Sequence, residues 1–432
     1  MEFDYNNILI FGYGKSGKAV EDVLKDIKVK YKIYDNKIKL QGGNFLYRLS
    51  AKVLKQFDLI VISPAVSINN KYVKLAERLG IKVIGELEFG FWFTSAEVVA
   101  VTGTNGKTTT THLINLALQK AGYKTDEYGN IGNPLSTAYK KDLDYIVCEV
   151  SSFQLESTDK FAPYVTVFLN LAEDHIDRHG SFENYVNIKK SIFKNSDVND
   201  FVVLNGGDEL CKGFKDDLIG KVVLFNSEAG FELKGNKLTY SGEEVLELND
   251  VLLNYTYGDN ILATAGALDS LDVNLNVLNE IDVEERIPHR LETFLEKDGV
   301  TYIDDSKATN PHSTLKALSQ IEGNVVLLLG GLDKDFNFDL LIEKLPRSVE
   351  KIITFGKAGK KILKSCKKCG KQAIYQKTLE NATKYVVSVT KSEDVVLLSP
   401  ACASFDEFEG YDKRGEFFKD LVKKLVNGNE KK

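Results

Sequence analysis

The feature that most constrains this chain is a recurring short apolar run, then a glycine or small-residue turn, then a helical pattern. Runs of this kind occupy 8–11, 98–101, 145–148, 165–169, 325–329, 352–355 and 395–398. A strand with no polar alternation is buried on both faces, and strands alternating with helices build parallel sheets covered on both sides. The expected class is therefore α/β. At roughly 100–200 residues per domain, a chain of 432 residues holds more than one such sheet. The formal net charge of −6 argues against a protein whose main task is gripping nucleic acid. No apolar run reaches the roughly 18 residues that a membrane span needs, and the acidic start Met1-Glu2-Phe3-Asp4-Tyr5 lacks a signal-peptide layout. Five cysteines, an odd and sparse set, do not suggest a disulfide framework. A soluble protein of a reducing, cytoplasmic compartment is expected.

Two breaks divide the chain. Around 93–96 a polar stretch precedes a fresh strand and a new glycine loop. Around 284–288 a charged stretch with a proline precedes His289-Arg290, and another strand series begins near Val300. The expected domains are 1–94, 95–284 and 285–432, all of ordinary size. Residues 220–257 read as short strands and turns, a small antiparallel appendage of the middle domain.

The first run leads into Gly12-Tyr13-Gly14-Lys15-Ser16-Gly17 and a helical segment over 18–25, and a second strand at 31–34 ends at Asp35. This is G-x-G-x-x-G between strand and helix, where bare backbone lets a phosphate approach the amides of a helix start. Three readings fit: a nicotinamide dinucleotide, another diphosphate, or a glycine turn that only packs helix on strand. Ser63-Pro64-Ala65, after the strand at 59–62, lines the same sheet edge.

A second loop, Thr102-Gly103-Thr104-Asn105-Gly106-Lys107-Thr108-Thr109, follows the run at 98–101 and opens a helix to about Lys120, closed by Gly122. Lysine after glycine at a helix start, with threonine next, is equipment for a triphosphate. Backbone amides cradle the phosphates, Lys107 neutralises the β- and γ-oxygens, and the Thr108 hydroxyl reaches Mg²⁺. Val101 stands where the general loop has its first glycine, so this is a shortened variant. Successive threonines are poor helix formers and need another reason to be there.

Glu149 follows the run at 145–148, at the strand end where α/β sheets bind ligands, and is placed to complete a Mg²⁺ shell beside Thr108. The densest polar cluster is Asn170-Leu171-Ala172-Glu173-Asp174-His175-Ile176-Asp177-Arg178-His179. Two histidines four apart suit zinc on a helix, but no third ligand with zinc spacing follows. Magnesium, with His175 as accessory ligand or water-orienting base, fits better, and His179 reads as solvated. Cys366-Lys367-Lys368-Cys369 lacks a partner pair, and the seven lysines between Lys357 and Lys371 read as a solvated helix face.

With both loops on one chain, the sequence resembles the Mur ligase family. Residues 102–109 are similar to its nucleotide loop, which folylpolyglutamate synthetases share. Four further stretches are similar in order along the chain: 149–155 (Glu-Val-Ser-Ser-Phe-Gln-Leu), 170–178, 305–310 (Asp-Ser-Lys-Ala-Thr-Asn) and 399–406 (Ser-Pro-Ala-Cys-Ala-Ser-Phe-Asp). The resemblance implies a Rossmann-like N-terminal domain, a central P-loop-type ATPase domain with a parallel sheet and the antiparallel appendage, and a Rossmann-like C-terminal domain. It implies a cytoplasmic, monomeric, ATP-dependent amide ligase that adds D-glutamate to UDP-N-acetylmuramoyl-L-alanine through an acyl phosphate. That is a step of peptidoglycan precursor synthesis, on which cell-wall growth, shape and division depend. No nucleic acid or membrane partner is implied. A Mur-type or folylpolyglutamate-type ligase with another acceptor is the alternative.

Carried over by position, Gly12, Gly14, Lys15, Ser16, Gly17, Ser63 and Pro64 would hold the UDP substrate, with Asp35 and Asn36 near the uracil. Gly103, Thr104, Asn105, Gly106, Lys107, Thr108, Thr109, Asn260, Arg290 and Asp305 would serve ATP, and Asn130 would lie near the transferring phosphate. Two Mg²⁺ would be held by Thr108, Glu149, His175 and Lys189, the last carbamylated. A buried neutral amine that adds CO₂ becomes an anionic oxygen ligand suited to a hard cation. Asp174, His175, Lys307, Thr309, Lys334, Ser404, Phe405 and Tyr411 would surround D-glutamate, since cations and hydroxyls orient a dicarboxylate through charge-assisted bonds. The adenine-side pattern departs from the family's, reading Asp259-Asn260 with Ala263.

Overall fold

The computed structural model describes residues 3–38, 42–130, 132–281 and 288–428. They form three mostly parallel sheets, and all seven apolar runs lie in or at the ends of strands. The chain divides into two compact units, Met1–Leu171 with Glu183–Val283 and Ala172–Phe182 with Glu284–Lys432. The expected boundary at 284/285 falls in 282–287, outside the described residues. No described helix is long and apolar enough to cross a membrane.

The first sheet contains β1 (Asn7–Phe11), β2 (Lys30–Tyr34), β3 (Phe45–Leu46), β4 (Leu59–Ile62) and β5 (Lys82–Gly85). All pair in parallel, in the order β3-β2-β1-β4-β5. Alternation sends Ile8 and Ile10 to one face, against Val20, Val23 and Leu24 of the helix Lys15–Asp26. Leu9 and Phe11 go to the other, against Val73 and Ala76 of Lys71–Arg78. The chain winds outward from β1 one way and then from β4 the other. The loops after these strands therefore part, leaving the crevice in which doubly wound sheets bind ligands.

The second sheet has nine strands: β6 (Glu97–Thr102), β7 (Thr125–Gly129), β8 (Tyr145–Glu149), β9 (Val165–Phe168), β10 (Phe201–Asn205), β11 (Lys221–Phe225), β12 (Phe231–Lys234), β13 (Lys237–Tyr240) and β14 (Glu243–Glu247). Their order is β14-β13-β12-β11-β10-β9-β6-β8-β7. The expected antiparallel appendage is present only in β12–β14, and it is not separate. β11 runs parallel to β10, and β12 joins β11 through the pair Phe225↔Phe231. The reason is a shared core, in which Phe225, Phe231, Leu238 and Leu252 pack with the small-residue helix Gly258–Ser270.

The third sheet comprises β15 (Glu292–Lys297), β16 (Val300–Asp304), β17 (Asn324–Gly330), β18 (Val349–Phe355), β19 (Ala373–Tyr375) and β20 (Asp394–Leu398), in the order β15-β16-β20-β17-β18-β19. Only β15 is antiparallel to its neighbour.

Within the first unit, the helix Glu86–Trp92 links the first sheet to the second, and two buried carboxylates fasten it. Glu88 is 0% exposed and accepts four hydrogen bonds. Asp159 N (2.8 Å) and Phe161 N (3.0 Å) donate to Oε2, and Lys160 N (2.8 Å) and Trp92 Nε1 (2.6 Å) to Oε1. Glu86 Oε1 accepts from both N and Oγ of Ser136 at 2.7 Å. Burial pushes the Glu86 carboxyl above the usual carboxylate range, with the Ser136 bonds working against it.

Candidate active site

In the first sheet's crevice the three glycines have different duties. Gly12 has φ +96°, and a Cβ there would lie 2.8 Å from Ser63 Cβ; at Gly17 it would lie 2.1 Å from Gly12 O. Gly14 has φ −80° and open space around it, so its bare backbone is approachable. Lys15 is exposed, and Ser16, Ser63 and Pro64 are half-buried.

Asp35 is not turned outward as a dinucleotide site would require. Its Oδ2 accepts from Tyr13 N at 2.7 Å, and its Oδ1 from Lys37 N (2.7 Å) and Ile38 N (2.9 Å). Burial opposes its charge, but these backbone N–H groups hold the carboxyl below its ordinary range. A ribose hydroxyl would find both oxygens engaged, which disfavours the nicotinamide reading. Beside it a cavity of about 100 Å³ is lined by Asn36, Phe45 and Tyr47.

The second loop is braced from several sides. Gly103 (φ +143°) and Gly106 (φ +87°) have no room for a Cβ, which would meet Leu169 Cβ at 2.9 Å and Asn260 Oδ1 at 2.6 Å. The helix Lys107–Lys120 begins directly after Gly106 without a side-chain cap. An uncapped helix start of this kind favours an anion. The Asn170 carboxamide clamps the Asn105 peptide both ways: Asn105 N donates to Oδ1 (2.9 Å), and Nδ2 donates to Asn105 O (3.0 Å). Thr104 N donates to Asn170 O at 3.0 Å, and the Thr104 and Tyr185 hydroxyls meet at 3.0 Å. Asn260, expected to serve ATP, is 3% exposed, binds Thr110 and Thr256 and lies against Gly106 of the loop. Thr109 and Thr110 are buried and Thr108 is half-buried, which is why this helix start tolerates poor helix formers.

Two amines converge on one carbonyl. Lys107 Nζ donates to Gly103 O (3.0 Å) and Thr104 O (2.8 Å), and Lys189 Nζ to Gly103 O (2.8 Å) and Thr102 Oγ1 (3.2 Å). Lys189 is 1% exposed, on the helix Phe182–Lys190, not a surface lysine. Glu149 stands opposite Val101 on the neighbouring strand. Its Oε1 accepts from Asn130 Nδ2 at 2.8 Å, while its Oε2 is buried without a partner among the described residues. An orphaned carboxylate oxygen at a strand end suits a hard cation, so the residues fit magnesium.

In the second unit Asp174 gathers its neighbours. Its Oδ1 accepts from Lys334 Nζ at 2.8 Å and from His175 N at 2.9 Å. Its Oδ2 accepts from Asn310 Nδ2 at 3.3 Å and lies 3.8 Å from His175 Nε2. His175, at φ +53°, opens a single turn, Ile176–His179. His179 closes that turn and is 5% exposed, so it is not solvated; it is the buried residue of an otherwise half-buried or exposed turn.

Lys307 Nζ sits 5.5 Å from the Tyr411 ring centroid, Ser404 is buried, Thr309 is half-buried and Phe405 is 68% exposed. The loops carrying these residues are tied by Arg414, which sequence reasoning missed. It is 0% exposed, and its guanidinium donates to Ser306 Oγ and O, Cys402 O and Ala403 O at 2.8–3.2 Å. Burial lowers its pKa to about 10.

Arg290 and Asp305 lie beside a second buried pair, His289 Nδ1 and Asp304 Oδ2, 2.7 Å apart. Arg290 Nε is buried without a partner among the described residues. Asp305 accepts from Ser399 Oγ (2.7 Å) and Leu291 N (3.3 Å), and burial raises its carboxyl to about 7 although Ser399 and Arg290 pull the other way. Among the described residues His289, Glu292 and Asp304 form the one group of three His, Cys, Asp or Glu side chains close enough to share a metal ion, but Glu292 Oε1 already binds Lys419 Nζ at 2.7 Å.

Comparison with known proteins places this geometry. The sequence matches the Mur ligase MurD-like N-terminal domain over 6–85, the Mur ligase middle domain over 101–262 and the Mur ligase glutamate ligase domain over 289–402. It is 36% identical to UDP-N-acetylmuramoylalanine--D-glutamate ligase of Koribacter versatilis (strain Ellin345), covering 100% of both chains. To the protein of that name from Thermoanaerobacter sp. (strain X514) it is 34% identical, over 98% of this chain and 100% of the relative. Among solved structures, the MurF ligase from Thermotoga maritima in complex with ADP superposes with a TM-score of 0.63 at 16% identity, over 99% of this chain and 96% of that one. Matches to all three domains, together with full-length relatives above 30% identity, establish that this chain belongs to the Mur ligase family.

Proposed function

We propose that this chain joins D-glutamate to UDP-N-acetylmuramoyl-L-alanine at the expense of ATP; its relatives carry the name UDP-N-acetylmuramoylalanine--D-glutamate ligase. One observation carries the reading: a single polypeptide holds two unlike glycine loops, each between a strand and a helix start. The first lies on the sheet that also bears Asn36 and Tyr47; the second lies beside a Glu149 oxygen that has no partner among the described residues. A folylpolyglutamate-type acceptor is not favoured, because 6–85 matches a MurD-like N-terminal domain.

The chemistry needs two steps because an unactivated carboxylate has no good leaving group. The alanyl carboxylate attacks the γ-phosphorus, the bond to the bridging oxygen of ADP breaks, and an acyl phosphate forms. The D-glutamate amine then adds to the acyl carbon to form the C–N bond of a tetrahedral intermediate, the nitrogen gives its proton to solvent, and the C–O bond to phosphate breaks as the carbonyl re-forms, leaving the amide and phosphate. The protein's share is positioning and charge neutralisation. In this reading Gly12, Gly14, Lys15, Ser16, Gly17, Ser63 and Pro64 hold the diphosphate end, and Asp35 fixes the loop beside Asn36. Lys107 leaves its carbonyl partners for the β- and γ-oxygens, and the amides of 103–109 cradle the phosphates. Asn130 lies near the transferring phosphate and also holds one Glu149 oxygen. Thr108 and Glu149 would hold one Mg²⁺, and His175 with carbamylated Lys189 a second. Bound there, the ions would neutralise phosphate charge and polarise the transferred group. Arg290 and Asp305 serve the adenosine. Lys334 exchanges Asp174 for a carboxylate of the incoming amino acid, flanked by Lys307, Thr309, Ser404, Phe405 and Tyr411. Domains divided at 94/95 and 284/285, a monomer and a cytoplasmic setting complete the proposal.

The test is phosphate release with D-glutamate, L-glutamate, D-aspartate and diamino acids as acceptors. Release should require ATP, the UDP-sugar-alanine and D-glutamate together; release independent of the last two refutes the reading. Lys189→Ala should be inactive and partly restored by a small added carboxylate, and no rescue refutes the carbamate.

A further inference from the structure

A cavity of about 500 Å³ in the second unit shares no lining residue with the sites described above. It lies where the edge strand β19 passes the C-terminal half of the helix Leu379–Val389. Its walls are Ile353, Ile374, Tyr385 and Val389, with Lys367 and Lys371 at the rim. Among the described residues β19 has a neighbouring strand on one side only, and its Ile374, a large apolar side chain, is 44% exposed.

The rim charge is what gives the groove a preferred occupant. Lys361 and Lys368, nearby in sequence, are neutralised by Asp333 and Asp339. Lys351 also lines the groove, but its Nζ binds Val389 O and Asp394 Oδ2 at 3.4 Å each. Lys367 and Lys371 make no ion pair among the described residues, and Glu350 is the sole acid of the lining. An apolar trough with two uncommitted ammonium groups at its mouth complements an apolar body that ends in an anion. The volume falls within the roughly 300–1,000 Å³ of small-molecule sites.

We infer that this groove binds a small amphipathic anion, an alkyl or similar apolar body bearing a carboxylate or a phosphate. Glu350, Lys351, Gln372 and Ala373 put it at the beginnings of β18 and β19. Asp304, Ser399 and Gly330 stand at or just beyond the opposite ends of their strands. The ligand is therefore not a substrate of the ligase reaction, and its binding is separable from turnover.

Calorimetric titration of the full chain with decanoate, decyl phosphate and decyltrimethylammonium, all below micelle formation, tests this. Both anions should bind saturably at one site and the cation should not; the tighter anion identifies the headgroup. Each methylene removed from the chain should weaken binding roughly fourfold. The double variant Lys367→Glu/Lys371→Glu should weaken both anions at least tenfold, and Ile374→Glu should abolish binding, with ATP binding unchanged in both. Absence of saturable binding, equal binding of the cation, or anion binding indifferent to these variants overturns the inference.

Discussion

Replacing Glu88 with glutamine changes one oxygen to an amide nitrogen and almost nothing in shape. The carboxylate receives four N–H groups, two on each oxygen, with none of the residue exposed. The amide keeps one acceptor, so two of these donors face an NH₂ and go unmet, at about 1–3 kcal/mol each. The two surviving bonds lose the charge that made them strong. The sum is a destabilisation of about 3–6 kcal/mol, concentrated where the helix Glu86–Trp92 meets 159–161. Hydrogen exchange should show it as opening at least a hundredfold faster for the amides of 159–161. Trp92, the chain's one tryptophan, donates to the same carboxylate, so its emission should shift red as the clasp loosens. Glu77→Gln, at an exposed pair with Lys74, is the control and should cost less than about 1 kcal/mol. Protection within threefold of the parent and unmoved emission would show that the carboxylate is not what fastens the first sheet to the second.

Other outcomes follow from the site. Asn170→Ala frees both ends of the Asn105 peptide and should lower kcat/KM for ATP about ten- to a hundredfold, with the acceptor KM unchanged; an unaltered ATP term would refute the clamp. Arg414→Lys keeps the charge but cannot span Ser306, Cys402 and Ala403, so the amino-acid KM should rise tenfold or more while ATP affinity holds. Asp305 stays protonated in the native state up to about pH 7, whereas the unfolded chain releases that proton near 4. The native state thus holds the extra proton between these values, and stability falls as pH rises through that window, by on the order of 4 kcal/mol in all. Urea midpoints of Asp305→Asn relative to the parent should therefore gain steadily from pH 4.5 to 7 and then level; a flat difference contradicts the assignment.

What was legible in the sequence was whatever depends on neighbours along the chain. Strands buried on both faces announce themselves as unbroken apolar runs, and a phosphate loop as glycine, lysine and threonine between strand and helix. Residues that hold the sites in place were not legible, because their bonds span distant parts of the chain. Asn170 reaches 65 residues back, Glu88 71 forward, Arg414 108 back and Asn310 136 back. Asn170 and Asn310 fall in stretches that the sequence singles out, but nothing there names their partners; Glu88 and Arg414 read as polar residues whose default partner is solvent, and His179 was misread for that reason. Asp35 sits where an acid would read a ribose, yet its oxygens go to backbone N–H groups that only the folded turn brings near.

The glycine triplet at 12, 14 and 17 also bears on how such a motif drifts over generations. At the outer two positions any side chain strikes the fold itself, so architecture alone forbids replacement. The middle position has an ordinary backbone angle and empty surroundings. An alanine there would fold as well as the parent, so a side chain at that position would be felt only by a molecule that settles against that stretch of chain.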